Sequence, residues 1–205
     1  MPLFNSRPGL AMFAAGIASI AWAALILQLW LTLNVVIGQG RGVGTGLVVS
    51  AHVAGPGFPG HRRLSSPVTL TTAAAAITIV SLVYFLILRH VWKPQGLQFV
   101  VDAALHYAVP LLMVAFWALA VRPDTLKWRD APWLFAYPLA YLVYVFLRGE
   151  MFGLYPYEFV DVLKLGYSTA LRNAGGMLLA YAAIVGMLCG LKARWFWRRN
   201  KLEAL

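Results

Sequence analysis

The sequence predicts an all-α integral membrane protein: one domain built as a helical bundle with five to six transmembrane helices. Of its 205 residues, 61% are apolar and only 12% are charged, whereas a soluble domain carries roughly a quarter charged residues. The mean hydropathy is positive. The apolar residues are gathered into runs of about 20, the length that crosses roughly 30 Å of hydrocarbon as a helix.

Five apolar runs are candidates for these helices. They cover residues 10–36, 67–89, 97–121, 131–147 and 170–191. The run 131–147 is short, but it ends in aromatic residues suited to the membrane interface. The glycine-rich segment 38–61 is ambiguous, because glycine and proline weaken a helix. It could be a loop, a re-entrant piece or a degenerate sixth span.

The charge distribution indicates an orientation in the membrane. Lys and Arg number 17 against 7 Asp and Glu, and the basic residues lie between apolar runs and in the C-terminal "KARWFWRRNK". Basic connectors of this kind are typical of cytoplasmic loops. The five-span and six-span alternatives both place the C-terminus in the cytoplasm and differ in the side of the N-terminus. We expect a bacterial inner membrane location, the lipid bilayer as partner and no nucleic-acid binding; the oligomeric state is not indicated.

The stretch "VVDAALHYAVPLL" places ionisable groups inside an apolar run. Asp102, His106 and Pro110 are four residues apart, so on a helix they share one face. Pro110 has no N–H, and the carbonyl of His106 therefore loses its donor within the helix. His106 lies about 13 Å below the start of its span. Ionisable groups at that depth are costly and usually face the interior of the bundle.

Two interpretations of this stripe stay open. Asp102 could accept a hydrogen bond from one ring nitrogen of His106 and fix the tautomer of the imidazole, which would let His106 act as a general base. Alternatively, the pair could be structural, with the two side chains satisfying each other and holding helices in register.

A general base needs a hydroxyl to act on. The preceding span runs antiparallel and ends near Arg89, so a residue level with His106 lies about nine residues before that end. Ser81 and Thr78 satisfy this condition and share a helix face. Hydroxyls in membrane helices also commonly bond back to their own helix, so their role as nucleophiles is a hypothesis.

The sequence indicates no cofactor and no metal. Cys189 is the single cysteine, which excludes an intramolecular disulfide and a cysteine cage. His90 lies at the end of a span and His106 about 13 Å down the next, so they cannot share a haem. Haem-based electron transfer remains an alternative only if His52 or His61 is a haem ligand. An absorption spectrum without a Soret band would exclude it.

The connector "GLYPYEFVDVLKLGY" combines aromatic and acidic residues between two spans. Its tyrosines are ordinary at a membrane boundary. Glu158 and Asp161 are less ordinary there. We interpret the segment as a structural lid stiffened by Pro156, with a binding site as the alternative.

The order of three motifs resembles a known family. "LHYAVP", "YPLAY" and "YPYEFVD", within about residues 80–190, resemble the prokaryotic branch of the androgen-induced-gene family of six-span membrane proteins. Animal members are threonine hydrolases that cleave fatty acid esters of hydroxy fatty acids with a threonine and a histidine. In this resemblance, His106 occupies the position of the family's catalytic histidine. The family's threonine run on the second span has no match here, and Thr45 is the one threonine of segment 38–61.

These observations lead to two main functional hypotheses. The first is an intramembrane hydrolase of lipid esters, with His106 as general base, Asp102 orienting it, and Ser81, Thr78 or Thr45 as candidate nucleophiles. The second is a non-catalytic membrane component for binding, assembly or transport. The sequence leaves open whether the protein is an enzyme.

Overall fold

The described part of the chain consists of helices and their connectors, as predicted. The structure is a computed structural model that describes residues 8–39, 66–91, 93–122 and 125–203, and no strand occurs within them. Five of its helices are long and apolar enough to cross a membrane. Thr45, His52, His61 and most of segment 38–61 lie outside the described residues.

The chain divides into two compact units, Met1–Arg122 and Pro123–Leu205. The first unit contains three long helices. Helix α1 is Pro8–Gln39. Helix α2 consists of Pro67–Val83, a π-helical turn at Tyr84–Leu88 and a last turn at Arg89–Val91. Helix α3 consists of Leu97–Ala103, a π-helical turn at Ala104–Ala108 and the segment Val109–Ala120.

The beginning of α2 follows from its local sequence. The Ser66 hydroxyl accepts a hydrogen bond from the N–H of Thr69 at 3.1 Å, which satisfies one donor that the first turn of a helix leaves free. Pro67 occupies the first helical position, where its missing N–H costs nothing.

Helices α1 and α2 both run antiparallel to α3. Side-chain contacts at both ends of each pair define this arrangement: Phe13 with Phe116 and Gln28 with Gln98 for α1, and Thr71 with Trp117 and Ser81 with His106 for α2. Helices α1 and α2 therefore run in the same direction.

The second unit contains two long helices joined by a short connector. A 3₁₀ turn at Trp128–Asp130 leads into α4, Ala131–Phe152, which extends beyond the apolar run 131–147. A second 3₁₀ turn at Glu158–Val160 precedes α5, Val162–Glu203. Helix α5 is interrupted at Gly166, whose φ of 72° and ψ of 159° are not helical; positive φ is accessible to glycine without steric cost.

The connector between α4 and α5 is packed onto both helices. Val145, Val160 and Ala174 form its buried core, surrounded by partly buried aromatic side chains. Tyr155 lies against Gly149 so closely that a Cβ at that glycine would overlap its ring. The ring is held there because its hydroxyl donates to Glu150 at 2.7 Å and its edge packs against Phe146.

We expect Gly149→Ala to destabilise the second unit by about 1–3 kcal/mol, because the added methyl group must displace the Tyr155 ring. The matched control is Gly186→Ala on α5, where a Cβ would meet nothing within 4 Å. Alanine there should be neutral or stabilising by up to about 1 kcal/mol. Thermal unfolding of the purified variants in detergent measures both, and equal stability of the two variants would contradict the packing described.

Candidate functional site

The polar residues of the first unit meet where its two π-helical turns lie. In α3 the N–H of Val109 bonds to the carbonyl of Ala104, five residues earlier. In α2 the N–H of Arg89 bonds to the carbonyl of Tyr84, with the same spacing. Single π turns are rare and are frequent at functional sites. Pro110 follows the turn in α3 and cannot donate a backbone hydrogen bond, which is a local reason for irregular bonding there.

The carbonyl that Pro110 leaves without its usual donor receives one from the neighbouring helix. The Ser81 hydroxyl donates to the carbonyl oxygen of His106 at 2.6 Å. A buried carbonyl left without a donor costs about 1–3 kcal/mol. Ser81 therefore joins α2 to α3 at the depth that antiparallel counting predicts, through the backbone of His106.

Asp102 is almost completely buried, with 6% of its surface exposed. Its two carboxylate oxygens have different donors: Tyr84 donates its hydroxyl to Oδ2, and Nδ1 of His106 lies 3.2 Å from Oδ1. A carboxylate at this position is tolerable only when it is paired and hydrogen-bonded. The Asp102 carboxylate is thus positioned by His106 of its own helix and by Tyr84 of α2.

The surroundings of His106 determine which ring nitrogen carries the proton. Nδ1 lies 3.1 Å from the backbone carbonyl oxygen of Asp102 and 3.2 Å from Oδ1. A carbonyl oxygen can only accept, so Nδ1 must be the protonated nitrogen. In the neutral form of the imidazole, Nε2 then carries the lone pair. Across the described part of the chain, no group hydrogen-bonds to Nε2, and about a quarter of the side chain (26%) is exposed.

Tyr84 is the residue of this site that sequence reasoning missed. Its ring stacks on the imidazole of His106 with centroids 4.0 Å apart and planes 14° from parallel, and Tyr107 packs edge-on against it at 5.6 Å. Depth counting could have found it. Tyr84 lies five residues before Arg89 and Asp102 five after Leu97, which places them at one level. We call Ser81, Tyr84, Asp102 and His106 the Asp102 cluster.

The other two predicted nucleophiles are not part of this cluster. Thr78 donates its hydroxyl to the carbonyl of Ala74 on its own helix at 2.6 Å, as hydroxyls in membrane helices commonly do. Thr45 lies outside the described residues. The structure thus brings Asp102, His106 and Ser81 together and leaves Thr78 about one turn away along α2, and their catalytic roles remain predictions.

Two observations on the described residues concern metal ligands. His90 is exposed at the end of α2, where its Nε2 accepts from Arg89 Nε at 3.3 Å. Within residues 8–39, 66–91, 93–122 and 125–203, no group of three or more His, Cys, Asp or Glu side chains is arranged to hold a metal ion.

A second polar contact joins α2 and α3 nearer their other ends. Trp117 donates its indole N–H to the Thr71 hydroxyl at 2.8 Å, and Thr71 donates to the carbonyl of Pro67 at 2.7 Å. The neighbouring Thr72 hydroxyl is buried without a hydrogen-bond partner in the described structure. No ionisable side chain takes part in these contacts, so they offer no acid–base chemistry.

The acidic residues of the α4–α5 connector have local partners. Asp161 Oδ1 accepts the N–H groups of Leu163 and Lys164 at 3.0 and 3.2 Å and so caps the start of α5. Glu158 accepts from Lys164 Nζ at 2.7 Å, which lowers the pKa of the Glu158 carboxyl. Burial, together with the hydrogen bond to Glu150, raises the pKa of the Tyr155 hydroxyl to about 12. These contacts describe a packed connector within the second unit.

We expect Ser81→Ala to destabilise the first unit by about 1–3 kcal/mol, because it removes the donor that satisfies the His106 carbonyl. The matched control is Thr78→Val on the same helix. Its hydroxyl bonds only to its own helix, so the loss should be smaller. Unfolding of purified protein in mixed detergent measures the difference, and an equal effect of the two substitutions would speak against an interhelical role for Ser81.

The pair Glu158–Lys164 predicts a pH-dependent contribution to stability. Since the folded-state pKa of Glu158 is lowered, its contribution is present above the unfolded pKa and is lost as pH falls through the folded pKa. Glu158→Gln should therefore lower the melting temperature slightly at about pH 7 and not at about pH 3. In a Lys164→Met background the same substitution should have no effect at either pH; an undiminished effect there would assign the shift to another partner.

The comparisons with known proteins add no relative: no family model matches the chain, and neither a curated protein nor a solved structure is significantly similar to it.

Proposed function

We propose that this protein is a multi-span membrane protein whose Asp102 cluster is an intramembrane acid–base site for the hydrolysis of a lipid ester. One observation carries the proposal. The Nδ1–H of His106 is held by Asp102, while Nε2 has no partner among the described residues. A histidine oriented through one nitrogen with the other free is the arrangement of a general base.

The role of each member follows from its contacts. His106 Nε2 would take the proton of a hydroxyl as the hydroxyl oxygen attacks the ester carbonyl carbon. Asp102 would stabilise the imidazolium so formed, an effect that is larger in apolar surroundings than in water. Nε2 would then return the proton to the departing alcohol oxygen. Tyr84 would hold the carboxylate through its hydroxyl and the imidazole plane through its ring.

Of the groups in the described residues, Ser81 or a water molecule bound beside His106 is the proposed nucleophile. The Ser81 hydroxyl lies on the facing helix but donates to the carbonyl of His106, so it would have to rotate toward Nε2 before reacting. If Ser81 attacks, an acyl-serine forms and water hydrolyses it in a second step. If water attacks directly, no acyl-enzyme forms.

The lipid character of the substrate rests on two arguments. The cluster belongs to helices apolar enough to lie in the membrane, where amphiphilic esters are the available substrates. The motifs "LHYAVP", "YPLAY" and "YPYEFVD" resemble those of the androgen-induced-gene family, which suggests esters of hydroxy fatty acids. The proposed location is a bacterial inner membrane with the C-terminus in the cytoplasm, supported by the basic C-terminal segment.

A non-catalytic role is the second candidate, and a specific observation favours it. The hydroxyls of Ser81 and Thr78 both already donate to backbone carbonyls. The cluster would then serve to join α2 and α3, and the protein would act in binding, assembly or transport. This alternative predicts that His106→Ala changes stability without changing any turnover.

The test is hydrolysis of hydroxy-fatty-acid esters by the purified protein in lipid nanodiscs. We expect turnover that falls at least about 100-fold in His106→Ala, the usual contribution of a general base, and that also falls in Asp102→Asn. His90→Ala, at the exposed end of α2, is the control and should retain full turnover.

A fluorophosphonate probe separates the two nucleophiles. Labelling that disappears in both His106→Ala and Ser81→Ala assigns Ser81, whereas turnover without labelling assigns water. No turnover and no labelling of the parent protein, measured with the folded state verified by its unfolding transition, would refute the hydrolase proposal.

A further inference from the structure

The polar stripe of α3 begins one turn before Asp102. Gln98 lies four residues before Asp102, so Gln98, Asp102 and His106 share one helix face. Its side-chain amide donates to Gln28 of α1 at 2.7 Å. Gln98 lies at the start of its apolar segment, Leu97–Ala120, and its hydrogen bond places Gln28 of α1 at the same level. The stripe therefore runs from the edge of the apolar region to His106, a rise of about 12 Å.

Each step of this stripe is a hydrogen-bonding group joined to a neighbouring helix. The amide pair of Gln28 and Gln98 comes first, the carboxylate of Asp102 with the Tyr84 hydroxyl comes next, and His106 with Ser81 comes last. Water enters protein interiors where it finds two to four polar partners. The amide pair and the carboxylate provide such partners from the edge of the membrane inward.

The same face of α3 is apolar beyond His106. Pro110, Met113 and Phe116 follow and are buried. Phe13 of α1 packs edge-on against Phe116 at 6.1 Å, and Ala74 of α2 is completely buried. An apolar interior of this kind stays dry. The next polar contact, between Thr71 and Trp117, lies about 16 Å from His106 along the helix.

We propose that water and protons reach the Asp102 cluster from one face of the membrane only, the face on which Gln28, Arg89 and Leu97 lie. In the proposed orientation this is the face opposite the cytoplasm. The titratable groups that meet the cluster from α2 and α3 are Tyr84, Tyr107 and the Asp102–His106 pair itself. The apolar segment from Pro110 to Phe116 closes the other direction. This one-sided access is independent of whether the cluster catalyses a reaction.

Single-cysteine variants test the path directly. In a Cys189→Ser background, Gln98→Cys, His106→Cys and Met113→Cys are reconstituted with one orientation in sealed lipid vesicles. A charged, membrane-impermeant thiosulfonate is then added to either face. We expect Gln98→Cys and His106→Cys to react at least about ten times faster from the Gln28 face than from the other, and Met113→Cys to react from neither.

Three results would overturn the proposal: His106→Cys reacting equally from both faces, from the opposite face, or from none while Gln98→Cys reacts. Unfolding transitions exclude variants that have lost their fold. A measurement on the unaltered cluster makes the conclusion independent of those substitutions. The ¹⁵N resonances of the His106 ring, identified by their loss in His106→Gln, should respond to a pH change on the Gln28 face and not to one on the other face. A response to a pH change on the opposite face, alone or together with a response to the Gln28 face, would contradict the proposal.

Discussion

The structure of the first unit depends on one constraint: hydrocarbon supplies no hydrogen bonds, so every polar group within it must find its partner in the protein. Pro110 removes a donor from α3, and Ser81 of α2 replaces it at the carbonyl of His106. Asp102 introduces a carboxylate, and Tyr84 and His106 satisfy it. Each solution draws α2 toward α3, so the polar groups that are costly in lipid become the contacts that fix the pairing of the helices.

The π-helical turns make this arrangement possible in both helices. A π turn accommodates one more residue than an α turn and so rotates the side chains that follow it relative to those that precede it. In α2 the turn begins at Tyr84, and in α3 it contains His106. The two rings stack at 4.0 Å, which brings an aromatic face, a carboxylate and an imidazole within one turn of each other. Such irregular turns carry a cost in backbone bonding, and their coincidence at the ionisable residues supports the proposal that the cluster has a function.

Much of the fold could be predicted from the sequence, because apolar length alone decides whether a helix can span a membrane. The contact between Asp102 and His106 was also predictable from spacing, and Ser81 from antiparallel depth. The hydrogen-bond partner of Ser81 could not be predicted. Its hydroxyl could bond either to the imidazole or to the backbone carbonyl of His106, and only the geometry of the π turn decides between them. Tyr84 was missed because tyrosines near span ends are common belt residues. In the second unit, the close approach of Tyr155 to Gly149 could not be predicted from the sequence. This contact joins a helix to a connector, and the path of the connector depends on packing.

The hydrogen bond of Ser81 bears on whether the cluster can be catalytic. Turning the hydroxyl from the His106 carbonyl toward Nε2 leaves that carbonyl unsatisfied, at a cost of about 1–3 kcal/mol. This corresponds to a loss of roughly 5- to 150-fold in rate, comparable to or smaller than the 10²- to 10⁴-fold gain from a general base. The structural role of Ser81 therefore weakens its use as a nucleophile without excluding it. A water molecule arriving along the Gln98 stripe avoids this cost altogether, since Ser81 can keep its bond to the carbonyl while Nε2 activates the water. Within the proposed mechanism, the same contacts thus make direct attack by water less costly than attack by Ser81.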